Sequence, residues 1–439
     1  MTDLNKTFYI KTYGCQMNEL DSEIIIGQLE KGGWTPSISE EDASLFIFNT
    51  CAVRDLAEQK VIGKVGELLK RKKNHQIIGI MGCMAATQKE SLFRKFPHLD
   101  FVLGPNNLMD LLPALDNLFL QKKHLIKTDK NFFENIDYTQ IKRKSPLNAS
   151  VSIIRGCNKF CSYCVVPHTR GKEVSRPPQS IIDECKQLVD NGYKEILLLG
   201  QNVNSYGKDT PASHCYFPDL LAKLDAIPGL LRIRFMTSHP IDISLDLMHA
   251  IRDLPSVCEF VHFPIQSASN RILQKMHRMY SKELYMEKVS LLTSIVPNVQ
   301  IGTDIIIGFP TETEEEFLET YSLFNTIRYS AAFIFAYSPR PNTFAYLKYP
   351  DDVPHEIKQQ RLQSMLALHK KIHEEDSQKK VGKILEVLVE KTTDDGTLLK
   401  GRTRTWDKVL FPGSPSLIGT LQKITIENFA HQTLLGKNL

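Results

Sequence analysis

Nine cysteines in a chain of 439 residues are few enough that clustering among them carries information. Cys157, Cys161 and Cys164 form a C-x3-C-x2-C run beside Gly156, Asn158, Ser162 and Pro167, residue types that favour a loop. Core filling does not explain such a run. Zinc competes for three clustered thiols, but structural zinc sites usually complete four ligands with a second Cys pair or a His. Three thiolates on one short loop suit three corners of a 4Fe–4S cluster. The fourth iron is then open to an exogenous ligand.

Cys15, Cys51 and Cys83 are far apart, and singly each reads as a buried core thiol. Yet each directly follows a strand candidate, at residues 8–12, 45–48 and 77–80. In a parallel sheet those strand ends share one edge, where loops build the site. Three thiols converging there could hold a second cluster or fill a core, and position alone leaves both open. Cys185, Cys215 and Cys258 show no ligand spacing and are expected to be structural or incidental. His168, His239 and His262 fall near strand ends or site loops. A satisfied polar role is the simpler reading for each, and no side chain is assigned as a catalytic acid or base. Gln201 and Gln266 end strands that would face a pocket, where they could touch a cofactor or a base.

The elements that must position these residues follow from apolar runs alternating with amphipathic stretches. Runs at 8–10, 45–48, 77–80 and 101–103, with helical patterns at 21–29, 58–70 and 109–118, predict a small parallel α/β sheet over residues 1–120. Residues 121–148 are polar and irregular and read as a linker. A second series over 149–375 predicts strands at 151–154, 195–199, 231–235, 260–263, 302–307 and 332–336. Helical patterns at 180–190, 245–251, 281–292 and 314–326 separate them. Six such units fit a partial (β/α)6 barrel better than a closed eight-fold one. Pro354 then opens a long helical pattern that runs to about Lys379. Over 378–439, short strands at 384–389, 398–402, 409–411 and 421–426, separated by turn residues, suggest a small OB-like β-barrel.

Hydrophobic residues make up 42% and charged residues 24%, which excludes wholesale disorder. No apolar run approaches the roughly 18 residues of a membrane span, and the start lacks the apolar stretch of a secretory signal. The expectation is a soluble, cytoplasmic protein with no membrane partner. Reduced thiols in that compartment argue against a disulfide framework. The net charge of +4 is too weak to announce nucleic acid by itself, but residues 380–439 hold nine bases against six acids. Arg402 and Arg404 would share one face of a strand there and could contact phosphate.

The run Arg155-Gly156-Cys157-Asn158-Lys159-Phe160-Cys161-Ser162-Tyr163-Cys164 resembles the cluster loop of the radical S-adenosylmethionine (SAM) superfamily. Thr12-Tyr13-Gly14-Cys15-Gln16-Met17-Asn18, Asn49-Thr50-Cys51-Ala52-Val53-Arg54 and Met81-Gly82-Cys83-Met84-Ala85 resemble the N-terminal domain of the radical SAM methylthiotransferase family. The likeness continues through Cys164–Pro177, Leu199–Asn204, Pro264–Ser267, Thr303–Pro310 and Phe335–Arg340. It ends at Gly401-Arg402-Thr403-Arg404 and Phe411-Pro412-Gly413, which are similar to the RNA-binding TRAM barrel. Ala268 and Asn342 depart from the family pattern, each standing where Gly is usual.

The resemblance implies two 4Fe–4S clusters, one on Cys157, Cys161 and Cys164 that makes a 5′-deoxyadenosyl radical from SAM, and an auxiliary one on Cys15, Cys51 and Cys83 that presents or supplies sulfur. Tyr163 corresponds to the aromatic residue beside the adenine of SAM. The opening hexapeptide implies the branch that methylthiolates C2 of N6-dimethylallyl-adenosine at position 37 of tRNA, consuming one SAM as methyl donor and one as radical source. Sister branches act on threonylcarbamoyl-adenosine tRNA or on a ribosomal protein, and a noncatalytic iron–sulfur RNA-binding protein is the remaining class. An electron donor and a sulfur or cluster donor are implied partners.

Overall fold

Strands buried on both faces must be covered by helices on both sides, and residues 45–50 and 77–82 are buried at every position. The structure, a computed structural model, describes residues 6–52, 55–121, 124–129 and 136–439; Val53 and Arg54 of the second cysteine motif lie outside them. Strands β1 (Thr7–Tyr13), β2 (Thr35–Pro36), β3 (Leu45–Thr50), β4 (Ile77–Gly82), β5 (Phe101–Leu103) and β6 (Leu125–Lys127) form one parallel sheet in the order β2-β1-β3-β4-β5-β6. Leu45, Ile47 and Met81 pack on one side with Leu20, Ile24 and Leu111, while Phe46, Phe48 and Ile80 pack on the other with Val61, Val65 and Leu92.

β6 lies inside the stretch that reads as an irregular linker. Its Leu125-Ile126-Lys127 is too short and too polar at its flanks to show a period, and pairing with β5 makes it a strand.

Strands β7 (Asn148–Ser152), β10 (Glu195–Leu199) and β11 (Arg232–Phe235) form one parallel sheet, and β12 (Phe260–His262), β13 (Gln300–Ile307) and β14 (Ala331–Ala336) another. A parallel bridge between Ile233 and Val257 links the halves. The six strands thus follow chain order around an open barrel, as the six-unit reading expects. A small antiparallel pair, β8 (Ile154–Arg155) with β9 (Val174–Ser175), brackets the C-x3-C-x2-C loop. The long helix is His355–Gln378, with Pro354 as its N-cap.

Strands β15 (Ile384–Thr392), β16 (Leu399–Thr403), β17 (Lys408–Phe411), β18 (Leu421–Ala430) and β19 (Thr433–Asn438) close into a barrel in the order β15-β16-β17-β19-β18. Val387, Val389, Leu399, Phe411 and Ile424 fill it. Among the described residues, no helix is long and apolar enough to cross a membrane.

Candidate functional site

The ends of β1, β3 and β4 are level with one another, because Tyr13 pairs with Thr50 and Thr50 with Gly82. Cys15 is the N-cap of the helix Gln16–Lys31, Cys51 follows β3 directly, and Cys83 opens the helix Cys83–Gln88. All three therefore leave one sheet edge, which is what their sequence positions could suggest but not settle. Glycine makes the last turn possible: Gly82 has φ +97°, and a Cβ there would lie 2.5 Å from the Thr50 carbonyl oxygen.

A buried amide network fixes the loops. Asn18 Nδ2 donates to Asn49 Oδ1 at 3.1 Å, and Asn49 Nδ2 donates to the Asn18 carbonyl at 2.8 Å and to Ser22 Oγ at 2.9 Å. Cys15 Sγ donates to Asn18 Oδ1 at 3.3 Å. Cys51 and Cys83 are buried and Cys15 is exposed, so the thiol set opens to solvent at one corner. The Cys51 thiol, in hydrogen-bonding contact with Cys15, lowers the Cys15 thiol to about 6, with help from the Arg170 cation; burial raises the Cys83 thiol.

The second triad hangs from β8. Gly156 has φ +77°, and a Cβ there would fall 1.9 Å from the Lys172 carbonyl oxygen, so only glycine lets the loop pass. Cys157 N–H donates to the Gly171 carbonyl at 3.1 Å, Ser162 N–H to Met276 O at 2.9 Å, and Ala345 N–H to Ser162 O at 2.7 Å. Arg278 Nη1 donates to Cys161 Sγ at 3.4 Å, and the Lys159 N–H to Cys157 Sγ at 3.4 Å. Donors already aimed at sulfur suit thiolates better than thiols. Burial pushes the Cys157 thiol up to about 12 and raises Cys164 as well.

The two sets adjoin at one buried contact. Val165, the residue after Cys164, shares a buried apolar cluster with Ala52, the residue after Cys51, and with Cys83. Beside this contact Asp21 accepts from Arg155 Nη2 at 2.9 Å and Arg170 Nη2 at 2.7 Å, tying the first sheet to both ends of the cysteine loop.

No three His, Cys, Asp or Glu side chains among the described residues are gathered to hold a single metal ion. A cluster asks for a different arrangement, in which each thiolate takes its own iron at a separate corner. Level strand ends, glycine turns and sulfur-directed donors fit that donor set.

Gln201 Oε1 accepts from the Gly156 N–H at 2.6 Å, so it braces the cysteine loop. Gln266, with φ +73°, is buried and ties β12 to β13 through Ile306 N–H to its carbonyl at 3.0 Å. Tyr163 packs against Met276, Phe309 and Tyr337. His168 is exposed. His239 Nδ1 accepts from Ile241 N–H at 3.3 Å; burial and the Arg278 cation lower it to about 2, which keeps it neutral. His262 Nε2 lies 3.1 Å from Asp304 Oδ1. Cys185 and Cys215 lie in the central core and Cys258 is buried. The methyl of Ala268 is buried in that core, and Asn342 takes φ +68°, which Asn tolerates better than most residues.

Three buried polar residues escaped the sequence reading, one of which, Glu173, donates its N–H to Asn158 Oδ1 in the cysteine loop at 3.1 Å. Asn204 Nδ2 and Oδ1, Ser238 Oγ and Glu173 Oε1 are buried without a hydrogen-bond partner. Such orphans are costly unless a polar ligand meets them. Asn204 stands in a stretch of family likeness, but nothing in that stretch marks its side chain as unpaired.

The terminal barrel corrects the placement of Arg404. β16 ends at Thr403, and a turn sends Arg404 away from Arg402 to Glu259, at 2.8 Å, and to the Pro255 and Val257 carbonyls, at 2.8 and 2.6 Å. Arg402 stays on the outward face, 3.6 Å from Glu390. Lys391 pairs with Lys400 and Arg402 with Lys408 in register, so four cations share one face. The three lysines of that face were not singled out from the sequence.

Three family models match the chain: uncharacterized protein family UPF0004 at residues 7–104, the radical SAM superfamily at 151–324 and the TRAM domain at 378–439. The tRNA-2-methylthio-N(6)-dimethylallyladenosine synthase of Protochlamydia amoebophila (strain UWE25) is 59% identical over 98% of this chain and 96% of its own. The chain belongs to that family of synthases. A member from Thermoanaerobacter pseudethanolicus is 46% identical over 99% of this chain and 93% of its own. Among solved structures, the radical SAM methyltransferase TsrM from Kitasatospora setae, with cobalamin and a [4Fe-4S] cluster bound, aligns with a TM-score of 0.55. It is 13% identical, covering 79% of this chain and 78% of TsrM, and shares the fold.

Proposed function

We propose that the chain is a radical SAM enzyme that methylthiolates C2 of N6-dimethylallyl-adenosine at position 37 of tRNA. The observation that carries this reading is the meeting of the two cysteine-bearing segments at one buried contact, in a chain 59% identical to a synthase of that name. Cys157, Cys161 and Cys164 would hold one 4Fe–4S cluster, and Cys15, Cys51 and Cys83 the other. Bound there, the clusters and SAM supply a radical able to take hydrogen from an unactivated carbon, and sulfur close to it.

The chain's own residues position and exclude. Asn204, Ser238 and Glu173 offer polar atoms to SAM, Tyr163 an aromatic face, and Gln201 holds the cysteine loop to the barrel. Val165, Ala52 and Cys83 close the seam between the triads to water. Residues 1–120 form the sulfur-handling domain, 149–375 the radical domain and 378–439 the RNA-binding domain. An electron donor and a sulfur or cluster donor complete the partners.

The test separates the triads. Cys157→Ala is expected to abolish SAM cleavage under reducing conditions. Cys51→Ala is expected to keep SAM cleavage and lose sulfur insertion into an RNA bearing dimethylallyl-adenosine. Methylthiolated product from either variant at the wild-type level contradicts this division.

A further inference from the structure

Arg170 is carried across the seam by the short helix Val166–Thr169 that follows the cysteine loop, its N–H bonded to the Val166 carbonyl at 2.8 Å. Only 3% of the residue is exposed. Nη2 is locked on Asp21 at 2.7 Å, while Nη1 is buried with no hydrogen-bond partner. A buried guanidinium donor left without a partner is costly unless an acceptor meets it. Besides Asp21, the groups that this cation feels most strongly are the thiols of Cys83 and Cys15. Two guanidinium groups, Arg155 and Arg170, converge on the Asp21 carboxylate beside the Cys15, Cys51 and Cys83 edge.

We infer that Arg170 is a positioning residue of this centre, donating Nη1 to a sulfide or thiolate sulfur held by Cys15, Cys51 and Cys83. The inference rests on those cysteines being cluster ligands. Hydrogen bonds to sulfur and nearby positive charge stabilise the reduced, more negative state of an iron–sulfur group. Arg170 therefore raises the reduction potential of the auxiliary cluster and fixes the sulfur that faces the radical domain.

The experiment uses the full chain carrying Cys157→Ala, Cys161→Ala and Cys164→Ala, so that only the first triad can load. Iron and acid-labile sulfide are measured, and the midpoint is read by a redox titration followed by electron paramagnetic resonance. With Arg170→Gln added, the cluster loads and the midpoint moves negative of the parent. Arg170→Lys, which keeps the charge but not the fork, gives a midpoint between the two. If only the Lys variant folds, a midpoint below the parent is still required. An unchanged midpoint in either loaded variant overturns the role of Arg170. A parent without iron overturns the cluster reading itself and this inference with it.

Discussion

Glu316 is surrounded by donors: Arg271 Nε at 2.7 Å and Nη2 at 2.5 Å, the Thr313 N–H at 2.9 Å and Ser269 Oγ at 2.8 Å. Burial opposes its charge, but the Arg271 guanidinium and these hydrogen bonds outweigh it and hold the carboxyl at about 2. Because the folded value lies below the unfolded one, near 4.5, the stabilisation is full above 4.5 and is lost as pH falls from 4.5 to 2. The window from 4.5 to about 2 corresponds to roughly 3 kcal/mol, reduced by solvent screening at the half-exposed Arg271. It supports the Gln266–Ser269 loop, since Ala268 N–H donates to Thr320 Oγ1 at 3.0 Å on the same helix. Glu316→Gln is expected to flatten the acid limb of a stability–pH curve between 4.5 and 2, measured by thermal unfolding; an unchanged limb contradicts the assignment. Neither the capping box of Thr313 with Glu316 nor its completion by Arg271 is part of the sequence reading, and the Arg271 partner comes from another element 45 residues away.

At the scale of elements, β15, β16 and β17 present Lys391, Lys400, Arg402 and Lys408 together. Burial and the neighbouring Lys408, Lys391 and Arg402 lower the Lys400 amine, because like charges are held close there. Replacing Lys391, Lys400 and Lys408 by Gln is expected to reduce the slope of log affinity against log salt for tRNA by about 2. Binding titrations at several salt concentrations read it, and an unaltered slope places the phosphate contacts elsewhere. Alternation in Leu399–Thr403 makes the outward place of Arg402 legible. Arg404 was not, because the Thr403–Asp407 turn, closed by Thr403 N–H on the Asp407 carbonyl at 3.0 Å, ends the strand one residue early. β19 also escapes sequence reading. His431 and Gln432 form its two-residue turn with φ +49° and +58°, positions where Asn-Gly is the usual signal.

Across the whole molecule, three bodies legible from apolar periodicity are joined by contacts that periodicity cannot show. Arg143 reaches Glu23 on the first sheet's helix at 3.3 Å and also pairs with Glu184 of the barrel. Arg232 and Arg234 on β11 donate to the Arg402, Arg404 and Thr403 carbonyls, and Trp406 packs edge-on against Phe260 at 5.1 Å. The terminal barrel thus docks on the open barrel through these contacts. The cysteine positions were legible because ligand spacing and strand ends constrain them; their meeting depends on Asp21 joining Arg155 and Arg170 from more than 130 residues away.

The central claim is tested most directly by mass spectrometry of tRNA nucleosides from a host lacking its own synthase, with and without this chain. The account predicts that N6-dimethylallyl-adenosine is converted to its 2-methylthio form only when the chain is present. Persistence of the unmodified nucleoside, in cells where the protein carries both clusters, contradicts it.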